Sequence, residues 1–286
     1  MSAPIHAIHA PNQYVEVNNR KLAYRSMGAG RAIILCCRFR GNMDSWDPEF
    51  LDTLAGQGFR VITFDYSGLG LSGGTPTYNP LQMSSDPLDL ATALGLEQAV
   101  IAGWSLGGIV AQVVLARQPA WLTHAVLIAT TPPGPLAKPA EQLFYDLARK
   151  EENTLEDETA LFFEPASARS REAARRSAAR IAARHAGRSV PVPAAWAASN
   201  IGDKPNPQPF PAPQVLEALK RTSIPLLHIG GDHDIIFPVE NWYALNGQLP
   251  TLELLTYPSA GHGPQHQHPR AAADYIGSFV RNTGAA

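Results

Sequence analysis

Short apolar runs recur along both ends of the chain and are missing from its middle. Residues 14–17 and 21–25 read as an opening hairpin, turned near Asn18-Asn19. Residues 32–37, 60–64, 98–102 and 125–128 are continuous, largely apolar runs, the character of strands covered on both faces. Helix candidates lie between them near 47–57, 86–94 and 106–118. Strands alternating with helices predict an α/β fold with an open, mostly parallel central sheet flanked by helices.

The alternation stops at Thr131-Pro132-Pro133-Gly134-Pro135. From there to about residue 222 no convincing sheet strand appears. Residues 141–150 and 167–186 look helical, and 189–213 look loop-like, with prolines at 191, 193, 205, 207, 209, 211 and 213. The pattern then resumes: a strand at 225–230, a helix at 239–248, a strand at 252–257 and a closing helix at 269–281. The expectation is an α/β core made of residues 1–131 and 223–286, interrupted by a mostly helical lid at 132–222. A structureless loop of that length would be improbable in a compact domain.

Composition narrows the partners. The chain has 286 residues, 45% hydrophobic and 17% charged, enough for one large core with an insertion. A net charge of −2 offers no field for nucleic acid or an anionic membrane, so the expected partner is a small-molecule substrate. No apolar stretch approaches 18 residues, and the amino end lacks the basic and apolar regions of a signal peptide. Cys36 and Cys37 are adjacent; strand neighbours point to opposite faces, so a disulfide between them is poor and a reducing, cytoplasmic setting is expected.

The candidate chemistry lies where the elements change. A predicted strand runs into Gly103-Trp104-Ser105-Leu106-Gly107-Gly108 and then into a predicted helix. A serine presented for attack must sit on a very tight strand-to-helix turn, and small residues two before and two after it let the backbone pass. A serine hydroxyl also needs a base, and the base an orienting carboxylate. Asp234, in Gly231-Asp232-His233-Asp234-Ile235-Ile236-Phe237-Pro238, follows one late strand; Asp232 is the alternative acid and His233 reads as a surface side chain. His262, in Gly261-His262-Gly263, follows the next. Both stand at carboxyl ends of predicted strands, where open α/β sheets place their sites. A metal site from His262, His266 and His268 fits no ligand spacing, so no metal and no cofactor are expected; His266 and His268 read as solvent-facing and His228 as a satisfied core residue.

These features, with Phe64-Asp65-Tyr66-Ser67-Gly68-Leu69-Gly70-Leu71-Ser72, resemble the α/β-hydrolase superfamily along essentially the whole chain outside the lid. The resemblance implies a catalytic triad of Ser105, Asp234 and His262, and puts the family's acid position on Asp234. It also implies an oxyanion hole from the backbone N–H groups of Phe39 and Leu106. One departure stands out. Counting back from Trp46, Cys37-Arg38 occupy the place of the family's His-Gly. Arg38 or Arg40 then either attracts an anionic substrate group, or points to solvent or pairs with an acid such as Asp44. Trp104, Phe39 and lid aromatics such as Phe144, Phe162 and Trp196 suit a partly apolar substrate. Arg176, Arg180, Arg184 and Arg188 recur every fourth residue and read as the solvated face of a lid helix. The leading function is hydrolysis of a small ester, lactone or related acyl substrate. The same triad serves carbon–carbon bond hydrolysis and perhydrolysis. A ligand-binding, receptor-like protein or a cofactor-free oxygenase is the alternative of another class.

Overall fold

The computed structural model describes residues 6–283. Its opening turn is set by Asn18 and Asn19, both at positive φ (48° and 60°), which asparagine tolerates better than other non-glycine residues and which a two-residue hairpin loop requires. Eight strands form one sheet: β1 Gln13–Val17, β2 Arg20–Met27, β3 Arg31–Cys36, β4 Phe59–Phe64, β5 Ala99–Trp104, β6 Leu122–Ile128, β7 Leu226–Gly231 and β8 Leu252–Tyr257. Their order is β1-β2-β4-β3-β5-β6-β7-β8. β2 runs antiparallel to both β1 and β4, and every other pairing is parallel. All six residues of β5 are buried, as a continuous apolar run in a doubly covered sheet should be. Chain order reverses between β3 and β5, which opens a crevice at their carboxyl ends.

Between β6 and β7 the chain forms the helices Gln142–Ala148, Leu155–Phe162, Ala168–Ala182, Ala194–Ala198 and Pro213–Arg221, and no strand among the described residues. Three of these are not legible in the sequence: Leu155–Phe162, Pro213–Arg221 and the short Ala194–Ala198, which falls in the stretch read as loop. Leu155–Phe162 starts at a capping box in which Thr154 and Asp157 satisfy each other's backbone N–H. In Pro213–Arg221 the last proline of the proline-rich run sits in the first helical turn, where its missing N–H is harmless. Val215 of that helix packs on Ile109 and Val113 of the helix after β5, so it lies on the flank of the sheet. The helix expected at 239–248 is shorter, Glu240–Tyr243, and passes into turns.

Only half of the arginine row is a solvated face: Arg176 and Arg188 are exposed, whereas Arg180 and Arg184 turn to the core. Ser170, Ala173, Ala174 and Ser177 are the buried side of Ala168–Ala182, and these small residues bring the helix close to the core. Arg180 then reaches Asp47, which is fully buried, through two hydrogen bonds of 2.8 and 2.6 Å. Arg184 donates to the carbonyls of Ala7, Ile8 and Ala10. Beyond the helix, the Ser189 N–H donates to Asp44, whose other oxygen accepts from Arg25 at 2.6 Å, and the Ser189 hydroxyl donates to Asp65. Arg180→Met is expected to destabilise the fold by about 2–4 kcal/mol, because it strands a buried carboxylate. Urea unfolding of the two proteins measures this.

Three buried histidines make stability depend on pH. Burial lowers His124 to about 4, His228 to about 3 and His266 to about 4. His228 stacks on Trp242 and His124 meets the edge of Phe279, and both rings are buried, so His228 is a core residue as read. The native state keeps all three neutral while the unfolded chain takes up protons below its ordinary value near 6.5. Their stabilisation is therefore present above about pH 6.5 and is lost as pH falls toward 4 for His124 and His266 and toward 3 for His228, on the order of 3 kcal/mol for each histidine. Asp65, raised chiefly by burial, opposes this in part. The unfolding free energy is expected to be several kcal/mol lower at pH 4.5 than at 7.5, and His228→Phe to flatten the dependence by about one proton.

Candidate active site

Ser105 stands directly after β5 with φ 59° and ψ −122°, a conformation that non-glycine residues hold only when their surroundings enforce it. The enforcement is steric. A Cβ on Gly103 would overlap the Gly107 carbonyl, and one on Gly107 would overlap the Cys36 carbonyl at the end of β3. Strand, turn and helix thus touch backbone to backbone. The Ser105 N–H donates to Ile128 O at 2.9 Å, and its carbonyl accepts from Thr130 Oγ1 at 2.7 Å. Its hydroxyl has no hydrogen-bond partner among the described residues and lines a cavity of about 860 Å³.

His262 lines the same cavity. Its Nδ1 lies 2.8 Å from Asp234 Oδ2, and both side chains are 1% exposed. Asp234 Oδ1 accepts from the N–H groups of Ile236 and Phe237, at 2.8 and 2.9 Å, which fixes the carboxylate plane. Asp232 turns elsewhere, to His233 Nδ1 at 2.6 Å and the Ala260 N–H at 3.3 Å, and His233 is at the surface. The His262 carbonyl accepts from Trp104 Nε1 at 2.7 Å, tying the histidine loop to the residue before Ser105. The glycines flanking His262 let Phe162 and Phe163 press on that loop: the Gly263 N–H donates to the Phe162 carbonyl at 2.7 Å, and a Cβ on Gly261 would meet the Phe163 backbone. The end of Leu155–Phe162 therefore roofs the histidine.

Phe39 and Leu106 both line the cavity, and their backbone N–H groups have no acceptor among the described residues. Replacing Gly by Arg at position 38 does not strain the backbone there; the positive φ falls two residues on, at Arg40 (54°). Burial pushes the Cys37 thiol up to about 12, so it stays protonated. Asp44 is engaged with Arg25 and Ser189 and pairs with neither arginine of this loop. Arg40 donates to the carbonyls of Ala148, Lys150 and Glu151 across the cavity mouth. Arg38 turns inward, its guanidinium carbon 4.6 Å from the Phe162 ring centre and 5.3 Å from that of Trp104.

His266 departs from expectation. It is buried, not solvent-facing, with its ring 4.6 Å from that of Trp104, whereas His268 is half-buried on Tyr257. Proline at 264 starts the short helix Pro264–Gln267, which turns His266 inward; the sequence offered that proline as the signal. Among the described residues no three His, Cys, Asp or Glu side chains are grouped to hold a metal ion, and no helix is long and apolar enough to cross a membrane.

The site brings together a hydroxyl on a strained turn, an imidazole backed by a buried carboxylate, and two unengaged backbone donors. Comparison with known proteins agrees with this architecture. An α/β-hydrolase fold protein from Chitinophaga pinensis superposes with a TM-score of 0.81 at 31% identity, over 97% of this chain and 100% of that one. The esterase RhEst1 from Rhodococcus sp. ECU1013 shares the fold, with a TM-score of 0.72 at 21% identity over 96% of this chain and 99% of that one. The proline iminopeptidase PfmaB of Pestalotiopsis fici is 32% identical over 126 residues, 42% of this chain; the match spans only 44% of that protein's length. The sequence profile of the alpha/beta hydrolase fold matches residues 31–269, which takes in the turn at Ser105 and both loops that meet it, and the chain belongs to that family.

Proposed function

We propose that the protein is a serine hydrolase of small esters, lactones or related acyl compounds. The observation that carries this is the buried Asp234–His262 pair opening onto the same cavity as the strained Ser105. With its Nδ1 proton held by Asp234, His262 has a free lone pair on Nε2. That nitrogen takes the Ser105 proton as Oγ attacks the substrate carbonyl carbon, and the oxyanion formed is held by the Phe39 and Leu106 N–H groups. Collapse expels the leaving alkoxide with the proton from His262. Water, activated by the same imidazole, then releases the acid and restores Ser105. The described parts of 1–131 and 223–286 serve as the catalytic core and 132–222 as the insertion, in which Pro213–Arg221 lies on the sheet flank and the remainder is the lid, whose Phe162 closes the cavity over His262. The two free, buried cysteines support a reducing, cytoplasmic setting. The substrate is a small molecule.

Intact-mass labelling with a fluorophosphonate tests the proposal. One adduct on the wild type and none on Ser105→Ala is the expected result. A folded wild type that takes no adduct would overturn the role of Ser105.

A further inference from the structure

We infer that Arg38 recognises an anionic group of the substrate, and that the acyl part of that substrate carries a carboxylate of its own. The inference rests on the hydrolase reading above and adds the chemical class of what is hydrolysed.

The cations around the cavity are almost all committed. Arg40 is spent on three carbonyls, Arg184 on three others, and Arg188 on the carbonyls of Ile181 and Arg184. Arg38 makes no ion pair among the described residues. Of its five N–H donors, one is used among the described residues, Nη1 to the Phe39 carbonyl at 2.8 Å, and Nε is buried with no partner among them. The acids lining the cavity do not answer it: Asp44 is taken by Arg25, and Glu158 forms no pair with it.

Its setting favours a ligand over a counter-ion from solvent. The guanidinium lies against Phe162 and Trp104, which fix its plane and cover it on that side without cancelling its charge. A charge so placed interacts more strongly with an incoming anion than one in bulk water. A planar fork with unused donors matches a carboxylate in two-point geometry.

Position decides which part of the substrate bears the charge. Arg38 is the residue before the Phe39 oxyanion donor and lies on Trp104, the residue before Ser105. The same two aromatic rings lie 6.2 Å from His262. The arginine therefore adjoins the reacting carbonyl held at the Phe39 N–H, and with the charge on the acyl side the class assigned to it is the half-ester, or a corresponding acyl derivative, of a dicarboxylic acid.

The test compares mono-4-nitrophenyl glutarate with its neutral methyl ester. In the wild type the ratio of kcat/KM values is expected to favour the anionic substrate by at least about tenfold. Arg38→Met should bring the ratio near one, and Arg38→Lys, which keeps charge but not the fork, should leave it in between. Glutarate alone is the second probe: it should raise the melting temperature of the wild type and not that of Arg38→Met. If Arg38→Met does not fold, Arg38→Lys carries the comparison. A wild type that labels normally at Ser105 yet shows no preference for the anion overturns the inference and leaves the hydrolase reading standing. If Ser105 takes no label, the glutarate shift decides Arg38 by itself: a shift lost in the variant supports it, and no shift in the wild type overturns it.

Discussion

Asp234→Asn is expected to lower kcat about 10⁴-fold with the fold intact. Asparagine can keep the Oδ1 acceptor that the Ile236 and Phe237 N–H groups require. That leaves an amide NH₂ facing His262 Nδ1, where the carboxylate oxygen stood at 2.8 Å. The ring must then accept at Nδ1 and carry its proton on Nε2, the nitrogen meant to receive the Ser105 proton. The base is present, oriented and in the wrong tautomer. Ser105→Ala sets the floor, about 10⁶-fold below the wild type. Turnover of a chromogenic ester, read with the urea midpoint of each variant, measures both. If Asp234→Asn stays within about tenfold of the wild type, Asp234 does not orient the base.

Gly107→Ala acts on the opposite side of the serine. The added Cβ would run into the Cys36 carbonyl, with the Cys37 carbonyl next to it. Both are backbone, so the end of β3 must move away from the start of the helix Leu106–Arg117. That movement pulls the Phe39 N–H from the Leu106 N–H. The expected result is a fall in kcat of about 10²–10³-fold, the range for losing one oxyanion donor. Overpacking also destabilises by about 1–3 kcal/mol. Gly56→Ala is the control: that glycine ends the helix Pro48–Gly56, a Cβ there meets nothing, and stability should hold or rise by up to about 1 kcal/mol. An active, stable Gly107→Ala would show that the contact between β3 and the helix does not set the hole.

The features read correctly from sequence are those with a local cause. The inner strands β3, β5 and β6 announce themselves because both faces of the sheet are covered there, so their residues are largely apolar; β5 is the extreme case. That Ser105 and the Asp234–His262 pair come to one cavity was legible because a turn this tight admits only small neighbours, and because loops at strand ends meet there. What escaped depends on distant partners. Nothing near Arg180 or Arg184 says that Asp47 and the carbonyls of residues 7–10 wait for them, so the four-residue spacing suggested a wet face. His266 reads as polar until Trp104 is beside it. The sequence alone does not decide Arg38 between solvent and substrate, because its neighbour Phe162 comes from 124 positions further along the chain, in the helix Leu155–Phe162, which carries no legible signal of its place.

The clamps on Ala168–Ala182 determine how such a pocket can diversify. Arg180, Arg184 and Ser189 answer Asp47, the carbonyls of Ala7, Ile8 and Ala10, and Asp44 with Asp65. A foreign segment transplanted between β6 and β7 would leave Asp47 without its arginine and the other interior carboxylates and carbonyls each short of a donor unless it brought its own matching groups. New specificity on this scaffold therefore arises by point changes among cavity-facing side chains under a retained roof. A chimera that exchanges residues 132–222 wholesale has to inherit positions 7–10, 44, 47 and 65 along with them.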